Sequence, residues 1–277
     1  MRRRASRPSE KGIEMKTAVR FCAIALALAG CGPTPVERTG WLQMGTVAAV
    51  QTRGPLAPEL VAAVRASLSS VESLLNAHDS ASELSRLAAS TDAEILARCT
   101  PSVRPCYESA FALARETDGA FSPRWRGPGT LDLGAIAKGF ALDEAARRLA
   151  PEVPTLLDLG GNLKACKGDW TVGVKDGESF ILREGEACAT SARYYRGDHI
   201  RDARTGESVS NALHSVTVIH PTSAMLADAL STALFILGPE KGTAFLLRHH
   251  PEARAIWTEC YTGVEMVSEH IEFDDSR

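Results

Sequence analysis

The sequence lacks an apolar run long enough to cross a bilayer, and it lacks the signature motifs of several enzyme classes. Its N-terminal apolar run covers only residues 21–29, whereas a membrane-spanning helix needs about 20 residues. It contains no G-x-S-x-G, no H-E-x-x-H and no protein-kinase signature, which excludes the enzyme classes that these motifs define. The cysteine spacings match no zinc pattern, and the chain has no internal repeat or low-complexity segment.

The chain also lacks an excess of positive charge. Its 277 residues contain 31 Lys and Arg against 34 Asp and Glu, a formal net charge of −3. Residues 1–30 hold seven of the basic and two of the acidic residues, so the rest of the chain carries a net charge of −8. Because nucleic-acid binding needs a positive surface, this balance argues against a nucleic acid as partner.

The N-terminal region has the pattern of an export signal. Lys16 and Arg20 precede the apolar run, and Leu-Ala-Gly-Cys follows it, ending at Cys31. Small residues before a cysteine resemble a bacterial lipobox, at which the cysteine is lipid-modified. We therefore predict that residues 1–31 are a signal peptide with lipobox Cys31; the alternative is a short buried helix.

The sequence then predicts a tether followed by one folded domain. Residues 32–40, "GPTPVERTG", contain two Pro and two Gly without periodicity and indicate a linker. The folded domain is predicted at residues 41–277. In this organisation the protein is attached to the membrane through lipid and not through a basic patch.

Of the seven cysteines, five remain available for disulfide bonds if Cys22 is removed with the signal and Cys31 is lipidated. An exported chain can form disulfides. The remaining spacings allow two bridges, Cys99–Cys106 and Cys166–Cys188, and leave Cys260 over.

Hydrophobic periodicity predicts separated helices and antiparallel strands, and hence an α+β fold. Helical spacing is clear in "PELVAAVRASLSSVESLLN" and in "GAIAKGFALDEAARRLA", while "WTVGVKD" and "SVTVIHP" are typical of strands. The predicted helices are residues 58–76, 83–89, 106–116, 134–150, a buried helix after Ser223, and 238–251; the predicted strands are 155–160, 170–176, 179–184, 215–221 and a closing hairpin, 253–259 with 263–269.

The buried helix carries two polar residues at one-turn spacing. Asp228 and Thr232 lie in "SAMLADALSTALFILGPEKG" and share one helix face. A carboxylate in an apolar stretch costs several kcal/mol unless its charge is compensated. A hard cation such as Mg²⁺ would suit an Asp, a hydroxyl and nearby carbonyls; the alternative is a carboxylate that only favours the helix dipole.

Three turns offer further candidates. In "LDLGAIAKGFALD", Asp132 precedes a helix start that could bind phosphate, with Lys138 in reach; a tight helix entry with Lys138 solvated is the alternative. The glycine spacings of a Walker loop or a dinucleotide fingerprint are absent. In "LLDLGGNLKA", a strand ends in a glycine turn, which would allow a ligand to approach the backbone closely or would simply form a hairpin. In "HIRDARTGE", His199 could act as acid or base, or simply be exposed.

Taken together and in order, these segments resemble the ApbE family of FAD:protein FMN transferases. The resemblance covers most of residues 41–259, and its last segment is the most specific. The segments are "MGTVAAV" at Met44, "SELSRL" at Ser82, "DGAFSP" at Asp118, "DLGAIAKGFALD" at Asp132, "LLDLGGNL" at Leu156, "ATS" at Ala189, "HIRDARTG" at His199 and "SVTVIHPTSAMLADALSTALFILGPEKG" at Ser215.

The resemblance implies a fold of the ApbE, T-fold-like type and a Mg²⁺-dependent reaction. In that reaction FMN passes from FAD to a Thr or Ser hydroxyl of an acceptor protein, and AMP leaves. It implies a lipid-anchored protein on the periplasmic face of the bacterial cell envelope, whose acceptor belongs to a membrane redox complex. The alternatives are a lipoprotein that binds FAD or FMN without transfer, and a pyrophosphatase that gives FMN and AMP.

The resemblance also implies site residues, position by position. The implied catalytic residues are His199 and Asp202. FAD binding falls on Met44, His78, Ala120, Phe121, Ser122, Asp132, Lys138 and Arg201, and the metal on Ala135, Asp228, Ser231 and Thr232. The chain departs from the family pattern at His78, where Tyr is usual, at Ser122, which replaces an acid, and at Arg201, which replaces an apolar residue; the loops before Asp132 and His199 are shorter than usual.

Overall fold

The computed structural model describes residues 35–174, 179–193, 200–209, 211–259 and 268–270. The predicted signal peptide with Cys31, and the predicted catalytic His199, lie outside the described residues. Within the described part of the chain, no helix combines the length and apolar character that crossing a membrane requires.

Six helices and ten strands are described, and helices and strands are interspersed along the chain. The helices are α1 (Pro58–Leu75), α2 (Glu83–Leu87), α3 (Asp92–Arg98), α4 (Arg104–Glu116), α5 (Ala137–Arg147) and α6 (Ala224–His249). The strands are β1 (Val36–Gln43), β2 (Thr46–Arg53), β3 (Thr155–Leu159), β4 (Asn162–Lys167), β5 (Trp170–Gly173), β6 (Ser179–Leu182), β7 (Ala187–Ala192), β8 (Leu213–His220), β9 (Arg254–Glu259) and β10 (Ser268–His270).

Eight strands form one antiparallel sheet in the order β1-β2-β3-β4-β7-β8-β9-β10, and β5 pairs with β6 in a second, small sheet. The helices cover one face of the large sheet, where Leu157, Ala189 and Val218 join the main core. The β5–β6 hairpin covers the opposite face, where Trp170 and Leu182 pack against a smaller core. This arrangement confirms the predicted α+β class of mixed helices and antiparallel sheet.

The sheet begins earlier than the sequence predicted. β1 starts at Val36 and pairs with β2 along its whole length, so five of the residues predicted as linker 32–40 belong to an edge strand. Most of β1 is exposed and polar, which hid the strand pattern, because an edge strand that buries little side-chain surface shows no clean alternation. The strands β2, β4 and β7 were also missed, whereas the strands at β3, β5, β6, β8 and β9 were predicted.

The helix predictions were largely confirmed, with differences at the ends. α5 begins at Ala137, three residues after the predicted start, because residues 133–136 form a turn whose carbonyls accept the first helical hydrogen bonds. The helix that contains Asp228 is interrupted at Gly238, which has φ 76°, and at Pro239, so the two predicted helices are two segments of α6. The short helix α3 was not predicted, although Thr91 and Glu94 form its capping box.

The four described cysteines are free thiols. Cys166 packs against the main core, whereas Cys188 belongs to the core on the opposite face of the sheet, which accounts for their not being bridged. Burial raises the pKa of the Cys166 thiol, and that of the Cys188 thiol, to about 12.

Candidate functional site

The Asp228 carboxylate is buried where α6 crosses the start of α5. Its side chain is 6% exposed, and the Lys138 ammonium lies 3.1 Å from Oδ1 and 3.2 Å from Oδ2. The Gly139 N–H, in the first turn of α5, donates to Oδ2 at 3.0 Å. The buried charge is thus compensated within the chain by a cation and by a free N–H of a helix N-terminus.

Gly139 allows this crossing because α5 and α6 touch there through backbone. A Cβ added at Gly139 would lie 2.0 Å from the carbonyl oxygen of Ala224 and 2.8 Å from the Cα of Met225. Any side chain at this position would push the helices apart. The glycine therefore sets the distance at which the N-terminus of α5 meets Asp228.

Hydroxyl groups line the next turn of α6. Ser191, on β7, has its Oγ 2.9 Å from Ser231 Oγ and 3.0 Å from Thr232 Oγ1, and the Ser231 hydroxyl donates to the Asp228 carbonyl at 2.8 Å. Lys138 also donates to the Gly134 carbonyl at 3.1 Å.

This donor set is chemically suited to a hard cation. It consists of one carboxylate, hydroxyls and backbone carbonyls, and Mg²⁺ prefers such oxygen ligands together with phosphate oxygens of a substrate. Among the described residues, no group of three or more His, Cys, Asp and Glu is placed to hold a metal. A cation here would therefore rest on Asp228, on oxygens near it and on the substrate; Ala135, Ser231 and Thr232 remain the predicted ligands.

Asp132 holds the turn that leads into α5. Its carboxylate accepts the Gly134 N–H at 2.8 Å and the Trp125 Nε1–H at 3.2 Å, and Arg126 Nη2 lies 3.2 Å from Oδ2. These contacts fix residues 132–134 and so place the Gly134 carbonyl beside Lys138. Asp132, Lys138 and Asp228, all predicted from the sequence, are thus linked through Gly134 in one hydrogen-bond network.

The segment from Ala120 to Ser122 contacts the loop that contains Ala203. Ala120 and Phe121 are buried, and the Ala120 carbonyl accepts the Ala203 N–H at 3.3 Å. The Ser122 hydroxyl accepts the Arg124 N–H at 3.1 Å and so closes the turn after the segment. Ser122 therefore stabilises the short loop that follows the segment.

Arg124 anchors that short loop to two helices. Its guanidinium donates to the carbonyls of Ala88, Ser90 and Thr130 and pairs with Asp92 at 2.9 Å. These bonds give the loop before Asp132 a defined path.

Asp202 is engaged by Arg204 in a two-point contact, Nε to Oδ1 at 2.9 Å and Nη2 to Oδ2 at 2.6 Å. Hydrogen bonding from Arg204 lowers the pKa of the Asp202 carboxyl. A carboxylate held in this way is a weak base, so the geometry supports a role in positioning the loop that follows His199. Arg201 is exposed, and its guanidinium donates to the Gly206 carbonyl at 2.9 Å.

Met44 occupies the two-residue turn between β1 and β2. It has φ 49°, a conformation that non-glycine residues rarely adopt, and its N–H donates to Glu72 Oε1 on α1 at 3.1 Å. The turn lies at the same end of the sheet as the β3–β4 turn, because the Gly160 N–H donates to the Val47 carbonyl at 2.9 Å. Positive φ at Met44 and at Gly45 is what a two-residue hairpin turn of this type requires.

Not every predicted residue joins this cluster. His78 is exposed in the loop after α1, where its N–H donates to Asn76 Oδ1 at 2.9 Å. Conversely, Ser191 and Gly139 belong to the site and were not assigned from the sequence. Ser191 ends the quoted "ATS" segment, and Gly139 follows Lys138, so the signal was present in motifs already singled out.

The chain is similar in sequence to proteins of one known family. The model of the ApbE family matches residues 124–257. A FAD:protein FMN transferase of Klebsiella pneumoniae is 39% identical over 144 residues, and one of Treponema pallidum is 35% identical over 157 residues. The aligned segments cover 46% of this chain and 45% and 43% of those two proteins, so the chain spans less than half the length of these curated relatives.

Solved structures show the same fold. The flavinyl transferase ApbE of Pseudomonas stutzeri superposes with a TM-score of 0.68 at 24% identity, covering 85% of this chain and 94% of that one. The flavin transferase ApbE of Vibrio cholerae superposes with a TM-score of 0.67 at 22% identity, covering 84% and 97%. The matched segment includes Asp132, Lys138 and Asp228. This chain is therefore similar to the ApbE family in sequence over residues 124–257, and it shares the fold of the solved ApbE structures.

Proposed function

We propose that this protein is a FAD:protein FMN transferase that uses the crossing of α5 and α6 as its diphosphate site. The observation that carries the proposal is the buried Asp228 carboxylate beside Lys138 and the turn at Gly134, inside the segment that matches the family. A carboxylate for a cation, an ammonium for phosphate and hydroxyls nearby are the groups that a diphosphate substrate requires.

The proposed reaction exchanges one phosphorus–oxygen bond for another. The hydroxyl oxygen of an acceptor Thr or Ser bonds to the phosphorus on the FMN side of FAD. The bond from that phosphorus to the bridging oxygen breaks, and AMP leaves with the bridging oxygen. The hydroxyl proton passes to a base, for which His199 is the predicted group.

The residues of the chain would contribute positioning and charge. Asp132 fixes the turn before α5, so that Lys138 can bind phosphate oxygens. Mg²⁺, when bound at Asp228 with the neighbouring oxygens, would neutralise charge on the diphosphate. Burial strengthens these interactions, because Asp228 is removed from bulk water.

We further propose that the acceptor is an extracytoplasmic domain of a membrane redox complex and that Cys31 carries the lipid that keeps the enzyme beside it. The support is the lipobox-like sequence before Cys31 and the acidic balance of the remaining chain. Mass spectrometry of the protein from a bacterial envelope fraction tests the anchor. A mature chain that begins with diacylated Cys31 is expected, and an unprocessed Met1 would contradict it.

The transfer itself is tested by incubating the purified protein with FAD, Mg²⁺ and candidate acceptor domains. Covalent flavin on the acceptor, detected by in-gel fluorescence and intact mass, is expected together with one AMP per modified acceptor. The flavin should map to a Thr or Ser, and removal of Mg²⁺ by a chelator should stop the reaction until the ion is restored.

The same assay separates the two alternatives. AMP release without an acceptor would identify a FAD pyrophosphatase. Flavin that co-purifies, without AMP release in any condition, would identify a binding protein. Either result with a panel of acceptors would contradict transferase function.

A further inference from the structure

The ammonium of Lys138 contacts the oxygens that a metal cation would need. Lys138 Nζ lies 3.1 Å from Asp228 Oδ1, 3.2 Å from Asp228 Oδ2 and 3.1 Å from the Gly134 carbonyl oxygen. A carboxylate offers about four acceptor positions, and the Gly139 N–H takes another of them at 3.0 Å. Three of the four positions on Asp228 are therefore in use.

A divalent ion would compete with this arrangement. Mg²⁺ binds oxygens at about 2.1 Å and demands near-octahedral geometry, so it would need space on the carboxylate that Nζ now fills. Two positive charges side by side on one buried carboxylate also repel each other strongly, because screening is weak there. The ion pair and a metal ion would thus compete for the same carboxylate.

Lys138 is placed to leave the pair. Its side chain is 23% exposed whereas that of Asp228 is 6% exposed, so the ammonium can swing outward while the carboxylate stays fixed. Lys164 offers a contrast, since its side chain is 9% exposed and its ammonium donates to the carbonyls of Gly185 and Thr222 at 2.8 and 2.6 Å. That lysine is locked into the fold, and Lys138 is not.

We propose that Lys138 is an exchangeable counter-ion of Asp228 that makes the binding of the cation and of a diphosphate mutually dependent. In the unloaded protein, Lys138 occupies the carboxylate and weakens cation binding. A diphosphate draws the ammonium away and frees the carboxylate for the cation. This inference rests on the proposed function for the identity of the diphosphate, which is FAD.

Thermodynamic linkage makes the effect reciprocal. If FAD tightens cation binding by some factor, the cation must tighten FAD binding by the same factor. We expect a factor of 10 or more in the native protein. Replacing Lys138 by an uncharged residue should remove the part of this coupling that runs through the lysine, because the carboxylate is then free in both states, and should leave the part that comes from direct contact between the cation and the diphosphate.

The experiment measures Mn²⁺ binding to the full chain by electron paramagnetic resonance, first without FAD. Lys138→Met keeps a long apolar stem and removes the charge, Lys138→Arg keeps the charge, and the exposed Lys241→Met is the matched control on α6. Thermal unfolding of each variant establishes that it is folded at the titration temperature. The titrations are then repeated in the presence of FAD.

Without FAD, Lys138→Met should bind Mn²⁺ at least 10-fold more tightly than the native protein, while Lys138→Arg and Lys241→Met should bind like it. Equal or weaker binding by Lys138→Met, or no binding by either protein, would overturn the inference. Because this titration uses neither FAD nor an acceptor, its failure is distinct from a failure of FMN transfer.

Discussion

Replacing Asp228 by Asn removes one charge and leaves the shape of the side chain unchanged. The amide oxygen can still accept the Gly139 N–H, but Lys138 loses its counter-ion. Breaking a fully buried ion pair costs about 3–5 kcal/mol. Since Lys138 is 23% exposed and can turn to solvent, we expect a smaller loss of about 1–2 kcal/mol in the free energy of unfolding, less than the buried-pair figure.

The effect on catalysis should be much larger than the effect on folding. Loss of one group that stabilises charge in a reaction typically costs about 100- to 1,000-fold in rate. We therefore expect FMN transfer by Asp228→Asn to fall by at least about 100-fold, measured as the initial rate of covalent flavin formation at saturating FAD. Urea unfolding of the same sample gives the stability change.

Asp143→Asn is the matched control. Asp143 is a half-buried carboxylate on α5 that accepts the Ser223 hydroxyl and the N–H groups of Ala224 and Met225 at 2.9–3.0 Å. It should lose stability and retain transfer by the folded fraction. If Asp228→Asn kept more than half of the native rate, or if both variants lost the same rate, the placement of the cation at Asp228 would be wrong.

Three further changes test particular contacts. Gly139→Ala should lower the free energy of unfolding by at least about 1–3 kcal/mol, because the new methyl group would overpack against Ala224. Gly173 has open space around it, so Gly173→Ala should change that free energy by less than about 0.5 kcal/mol in the same denaturant titration. Equal effects of the two changes would contradict the close approach of α5 and α6. His220 accepts two N–H groups at Nδ1, and burial lowers its pKa, so the native protein should lose stability as the pH falls below about 6.5, and His220→Gln should flatten that slope; an unchanged slope would refute this origin. Asp202→Asn should loosen residues 200–209 and speed hydrogen exchange of the Ala203 N–H, and unaltered exchange would show that the Asp202–Arg204 pair does not hold the loop.

The sequence predicted the helices better than the sheet, for a physical reason. α1 buries an apolar face that recurs with helical spacing, and α6 is a long segment that is apolar nearly all round, so both patterns are visible locally. β1 is an edge strand with little buried surface, and β7 contains small residues that carry a weak strand signal. Their pairing depends on partners far along the chain, and no local pattern encodes it.

The site was predictable as a set of residues but not as a geometry. Asp132, Lys138 and Asp228 were identified from motifs, yet the direct contact between Lys138 and Asp228 spans 90 residues and depends on how α5 crosses α6. That crossing depends on the absence of a side chain at Gly139. The sequence therefore predicted a metal as the partner of Asp228, and the structure adds a lysine that occupies the same oxygens.

The position of the diphosphate can be measured directly by phosphorus NMR of FAD bound to the protein, with Mn²⁺ in place of Mg²⁺. A cation at Asp228 that touches the diphosphate should broaden both phosphorus resonances strongly in the native protein and only weakly in Asp228→Asn. If bound FAD kept sharp phosphorus resonances in the native protein, the cation and the diphosphate would not meet at Asp228.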